Sequence, residues 1–170
     1  MKKYFLIVLV ITFSNAAIAQ DAATPPLQPV LQAYFALTDA LAKDQSDSAQ
    51  IAAGTLFEAI EKVPMDKLSA EQHKVWMQHY KKMSADAEHI KATADIGHQR
   101  EHFATLSANM SKLLKAADHQ ESNLYIQYCP MTAGGKGAYW ISEQQKISNP
   151  YMGKRMPTCG RTAEVLKANE

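Results

Sequence analysis

The sequence predicts a mainly α-helical fold, an antiparallel four-helix bundle carrying a small C-terminal β-hairpin module. Two observations carry that expectation. Between residues 27 and 117, apolar residues recur at three- and four-residue spacing in four successive stretches separated by short polar breaks. Beyond residue 123 the pattern changes to aromatic and β-branched residues around a glycine-rich turn.

The N-terminus comes first. Lys2 and Lys3 precede an apolar run over residues 4–13, then Ser14, Asn15 and the small-residue site Ala17-Ile18-Ala19. This order is that of a cleavable secretory signal over residues 1–19. The apolar run is ten residues long, against the roughly 20 a membrane-crossing helix needs. No cysteine lies near the cleavage site to take a lipid, and no second run of spanning length follows. The expected product is a periplasmic protein without a membrane span. Residues 20–26 form a polar, proline-containing leader.

The helical bundle is expected over 27–123. Leu27, Val30, Leu31, Tyr34, Leu37 and Leu41 mark the inner face of the first helix, which breaks at 44–46. Asp47 with Gln50 has the form of a capping box opening a second helix, with Ile51, Leu56, Phe57 and Ile60 inward. Ser69 with Gln72 opens the third, whose stripe is Trp76, Tyr80, Met83, Ala87 and Ile90. The fourth carries Phe103, Leu106, Met110, Leu113 and Ala117. An extended arrangement of two helix pairs is the main alternative to a bundle.

The hairpin module is expected over 124–162. Leu124-Tyr125-Ile126-Gln127-Tyr128 reads as one strand, Gly134 to Gly137 as the turn, and Ala138-Tyr139-Trp140-Ile141 as the return. Turns at Asn149-Pro150-Tyr151 and Met156-Pro157 close the segment. The last residues are polar and are expected to fray, leaving 163–170 as a tail.

Charge and motif content exclude several function classes. Losing residues 1–19 removes two of the 18 basic residues and none of the 17 acidic ones, for a mature formal charge of −1. That balance gives no electrostatic footprint for nucleic acid. The patterns for covalent haem, a phosphate loop, a dinucleotide fold and a serine nucleophile elbow are absent.

Sulfur is concentrated near the C-terminus: Cys129, Met131, Met152, Met156 and Cys159 fall within 31 residues. Thiolates and thioethers together are soft ligands suited to Cu(I) or a similar ion. The same two cysteines can instead form a disulfide, which outside the cytosol is their commonest use. Closing that loop stabilises by roughly 3 to 4 kcal/mol in the chain-entropy description. Methionine also serves as plain core filler. Both uses of the cysteines stay open at this level, as do two unpaired thiols.

His98-Gln99-Arg100-Glu101-His102 matches H-x-x-E-H, a zinc-peptidase pattern. Its two histidines share a helix face. A hydrolase needs a further ligand and a substrate cleft, and two solvated histidines are the commoner occurrence. Of the remaining histidines, His73 falls in register with Trp76 and Tyr80 and is expected at the core edge. His79 and His89 sit off that stripe and are expected on the surface; His119 is isolated. The aromatic residues Tyr125, Tyr128, Tyr139, Trp140 and Tyr151 either anchor a partner or form the hairpin's own core.

The motifs Q-Y-C-P-M (127–131), G-A-Y-W-I-S (137–142), N-P-Y-M-G (149–153) and M-P-T-C-G (156–160), preceded by H-Q-R-E-H-F (98–103), resemble an uncharacterised bacterial domain family. Its members occur as small exported proteins and as C-terminal parts of periplasmic adaptor subunits of copper/silver efflux pumps. The resemblance implies a helical domain with a C-terminal Cys/Met module and a role in heavy-metal handling. Cys129, Met131, Met156 and Cys159 match the family's motif positions; Met152 stands where relatives carry an aromatic residue. Arg100, Phe103 and Ser107 fit the preceding helix.

The expectation is therefore a non-enzymatic periplasmic protein that binds or delivers Cu(I) or Ag(I), with a heavy-metal efflux adaptor subunit as its partner. Cys129, Met131, Met156 and Cys159 are the candidate ligands, with Met152, His98 and His102 as further ones. The alternative is a metal-free, disulfide-stapled module that docks on an envelope partner.

Overall fold

A computed structural model describes residues 26–116 and 122–168. The expected signal, most of the leader and His119 lie outside the described residues. Four helices pack sequentially, and a three-stranded antiparallel sheet closes the C-terminal side. The helices are α1 (Gln28–Ala42), α2 (Ser46–Glu61), α3 (Ala70–Ala92) and α4 (Ile96–Lys115). None of the described helices is long and apolar enough to cross a membrane.

The apolar stripes meet in one core. Tyr34, Leu37 and Leu41 of α1, Leu56 and Ile60 of α2, Trp76, Met83 and Ile90 of α3, and Phe103, Leu106 and Met110 of α4 are almost wholly buried. Pro29 occupies the first turn of α1, where its missing N–H costs no helical bond. Ser69 and Gln72 form the expected capping box at the start of α3. The expected box at Asp47 and Gln50 does not form. The α2 N-cap is Gln45 without a side-chain bond, and Gln50 instead donates from Nε2 to the Lys91 carbonyl at the end of α3.

Two burial expectations are corrected. Ile51 is 73 % exposed because α2 turns Ala49, Ala53, Leu56 and Ile60 inward, and at 100° per residue position 51 points away from all of them. His73 is exposed rather than at the core edge, since it lies in the first turn of α3, ahead of the point where Trp76 enters the core.

The hairpin forms as expected from β1 (Leu124–Cys129) and β2 (Ala138–Ser142), with Tyr125 opposite Ser142 and Cys129 opposite Ala138. The residues read as a frayed tail form a third strand instead. This is β3 (Arg161–Leu166), which pairs with the other edge of β1 and gives the order β2-β1-β3. Its side chains are mostly exposed, so no alternating apolar pattern announces it. Backbone pairing holds it, helped by the Lys115–Glu164 ion pair and by Arg161 over the Tyr128 ring.

Besides the Lys115–Glu164 pair, two buried or part-buried polar joints fasten the C-terminal module to the helices. The Tyr34 hydroxyl reaches the Ser107 hydroxyl at 2.7 Å and accepts the N–H of Ile141 in β2 at 3.1 Å. Arg100 of α4 donates from Nε to the Pro150 carbonyl and from Nη2 to both the Leu41 carbonyl and the Asp44 carboxylate. Asp44 also accepts the N–H of Lys154. Gly153, at φ 52°, passes so close that an added Cβ would overlap both the Asp44 carboxylate and the Arg100 guanidinium. Arg100 and the N-P-Y-M-G segment are thus parts of one joint.

Candidate metal centre

The turn between α3 and α4 determines which side chains meet. Asp95 caps α4, its carboxylate accepting the N–H of Gly97 and His98, and the two helices run back to back from there. In such a helical hairpin, positions equidistant from the turn face each other. Residues 86 and 102 are equidistant from Ala94, and residues 89 and 98 very nearly so. The facing edges therefore carry Asp86 and His89 on α3 against His98 and His102 on α4.

One nitrogen of each of His89, His98 and His102 lies within 4.8 Å of the other two. The His89 and His102 rings stack 4.5 Å apart and nearly parallel, while His98 meets His102 edge-on at 4.7 Å. His89 and His98 are exposed; His102 is half-buried.

Beneath the rings, Asp86 is completely buried. Its Oδ1 lies 3.0 Å from His102 Nδ1 and 2.9 Å from Lys82 Nζ, and its Oδ2 accepts the Thr105 hydroxyl at 2.6 Å. A carboxylate only accepts, so Nδ1 of His102 donates to Asp86, and in the neutral ring Nε2 is then the nitrogen that can take a ligand. Glu101 plays a weaker, solvent-side version of this part, with Oε2 at 3.5 Å from His98 Nδ1 and its own side chain 80 % exposed.

Three imidazoles from two adjoining helices, one anchored by a buried carboxylate, form a set able to hold a transition-metal ion. His98 and His102 were among the expected ligands. His89 was not, because its surface position hides that the edge it occupies faces α4. Symmetry about the turn was the available signal.

The sulfur residues behave differently. The pairing of β3 on β1 brings Cys129 and Cys159 together, with Sγ atoms 2.8 Å apart and neither bridged. Two thiolates on one tetrahedral ion stand about 3.8 Å apart, so this arrangement leaves no space for an ion between them. Contact with the Cys129 thiol, and then desolvation, pushes the Cys159 thiol up. Met131 is 58 % exposed. Met152 is buried, its Sδ facing the Arg155 guanidinium at 3.6 Å, and Met156 is half-buried.

The aromatic residues divide by burial. Trp140 and Tyr151 are buried, packed edge-to-face on each other, with Tyr151 also against Phe103. Tyr139 stays exposed beside Tyr128.

The family described as "Protein of unknown function (DUF3347)" matches residues 30–122. That span takes in all of α2, α3 and α4, and with them the three histidines. No curated protein and no solved structure matches the chain.

Proposed function

The chain belongs to the DUF3347 family of proteins of unknown function, and for this member we propose binding and delivery of a transition-metal ion in the periplasm. The observation that carries the reading is the convergence of His89, His98 and His102 over the buried Asp86. The role needs no catalytic residue. Export rests on the signal read in residues 1–19, and an efflux adaptor subunit as partner rests on the resemblance of the C-terminal motifs. A hydrolase would draw on the same histidines, with the exposed Glu101 beside His98 as its base.

The soft-ion centre at Cys129, Met131, Met156 and Cys159, with Met152 beside it, is the rival site for Cu(I) or Ag(I). It requires the cysteine pair to open around the ion. The contact between those sulfurs favours a staple, and the metal-free stapled module is the second reading. Metal titration of the full chain with its thiols oxidised separates the readings. Uptake of one equivalent, abolished by the triple substitution His89→Gln, His98→Gln and His102→Gln, is the expected result. Uptake only after reduction, lost on Cys129→Ser with Cys159→Ser, returns the ion to the sulfur residues. No uptake in either state leaves the stapled module.

A further inference from the structure

We infer that the histidine centre takes a borderline divalent ion, Cu(II) ahead of Zn(II), on three imidazole nitrogens, with a further position open to an external ligand and His89 as the last ligand to close. The inference rests on the metal-binding reading above and assigns the ion's class and its exchange.

The donor set decides the class. The cluster whose ligand atoms converge contains the three histidines and no carboxylate, and Asp86 is already directed at His102 Nδ1. That leaves three imidazole nitrogens as ligands. Imidazole suits copper, zinc and nickel, whereas soft monovalent ions select sulfur. Among divalent ions on a nitrogen site, Cu(II) binds most tightly.

The positions of the three residues decide the open site. All three side chains come from one edge of one helical hairpin, so they approach an ion from the protein side. His89 and His98 are exposed, leaving solvent on the ion's other side. Three protein ligands plus an exchangeable position is the arrangement that lets a bound ion accept a ligand from outside.

Ring geometry decides the order of closure. The His89 and His102 planes differ by only 5° with centroids 4.5 Å apart. Imidazole lone pairs lie in the ring plane, so two nearly parallel rings cannot both aim at one nearby ion. One must turn, and the nitrogens must draw in from separations of up to 4.8 Å to about 3.3 Å for tetrahedral ligands at roughly 2.0 Å from the metal. His102 is held by Asp86 from beneath. His89 is exposed, and rotation about its side-chain bonds closes the site. The same rotation releases the ion, as delivery to a partner requires.

The test is pulsed EPR of the full chain, thiols oxidised, loaded with one equivalent of Cu(II) against excess glycine. Three coordinated imidazoles are expected in the wild type and two in His89→Gln, with Cu(II) dissociating at least tenfold faster from the variant. Added azide should shift the wild-type spectrum by entering the open position, and a tenfold excess of Zn(II) or Ag(I) should leave Cu(II) in place. His89 is at the surface, so an unchanged thermal midpoint for His89→Gln certifies its fold. Displacement of Cu(II) by Ag(I) overturns the ion class while metal binding at the histidines stands. An azide-insensitive spectrum overturns the open position, and unchanged dissociation in His89→Gln overturns its place in the order. Failure of every ion to bind removes the underlying reading as well.

Discussion

Asp86 on α3 accepts the Nδ1–H of His102 on α4 across 3.0 Å, from a position with no solvent exposure. The same carboxylate holds Lys82 and Thr105, so it is a structural tie between two helices as well as the anchor of one candidate ligand. Asp86→Asn keeps the shape and removes the charge, and metal affinity should fall by about 10- to 100-fold. Asp86→Ala strands three polar partners and should in addition cost about 3 kcal/mol of stability. Metal titration paired with urea unfolding checks both. Equal metal affinity in Asp86→Asn and wild type would falsify the anchoring role.

The cysteine pair should act as a staple. Because β3 pairs with β1, a Cys129–Cys159 bond would tie the strand's entry to the centre of the sheet. Protein isolated from an oxidising compartment should show no titratable thiol under denaturing conditions. Reduction should cost roughly 3 to 4 kcal/mol, reopening a loop of about 31 residues. Two free thiols with no stability loss on adding reductant would contradict this.

How far the sequence carried the reading depended on the kind of force at work. Helices α1 to α4 were legible because burying Tyr34, Trp76, Ile90 and Phe103 imposes a helical period on the residue order. The hairpin was legible from its aromatic strands and glycine turn. Strand β3 was not, since Arg161, Thr162 and Glu164 earn their place through backbone bonds to β1, which leave no mark on side-chain pattern. At the histidine cluster, the spacing of His98 and His102 was readable within α4, whereas His89 and Asp86 required knowing how α3 folds back. Within the sulfur cluster, proximity in sequence placed five sulfur residues together, and the contact of Cys129 with Cys159 depends on how β3 returns to β1.

Acid should loosen the joint between helices and sheet. The Arg100 guanidinium and the Lys154 N–H hold the Asp44 carboxyl below its ordinary value. A carboxylate with a lowered folded pKa stabilises fully above its unfolded value, near 3.8, and that contribution is lost as pH falls through the folded value. Asp44→Asn should flatten the acid limb of a stability–pH curve below about pH 4. Gly153→Ala should weaken the same joint at every pH, because a Cβ there meets Asp44 and Arg100 and the backbone stands at positive φ. Its loss should exceed 1 kcal/mol, measured by urea unfolding at pH 7.

Alkali should act through Tyr34. Burial pushes its hydroxyl up to about 12, with the Ser107 and Ile141 bonds opposing the shift, and burial likewise raises Tyr151 well above its ordinary value. The folded state keeps both phenols neutral. The Tyr34 contribution is complete below the unfolded value of 10.0 and is lost as pH rises towards about 12. Tyr34→Phe removes one of these ionisations and should make the alkaline limb shallower. It also leaves the Ile141 N–H without its acceptor, so at pH 7 the variant should be less stable by about 1 to 3 kcal/mol. The two effects have opposite sign, so the wild-type and Tyr34→Phe curves should converge between pH 10 and 12. Parallel curves over that range would show that Tyr34 does not couple alkaline ionisation to unfolding.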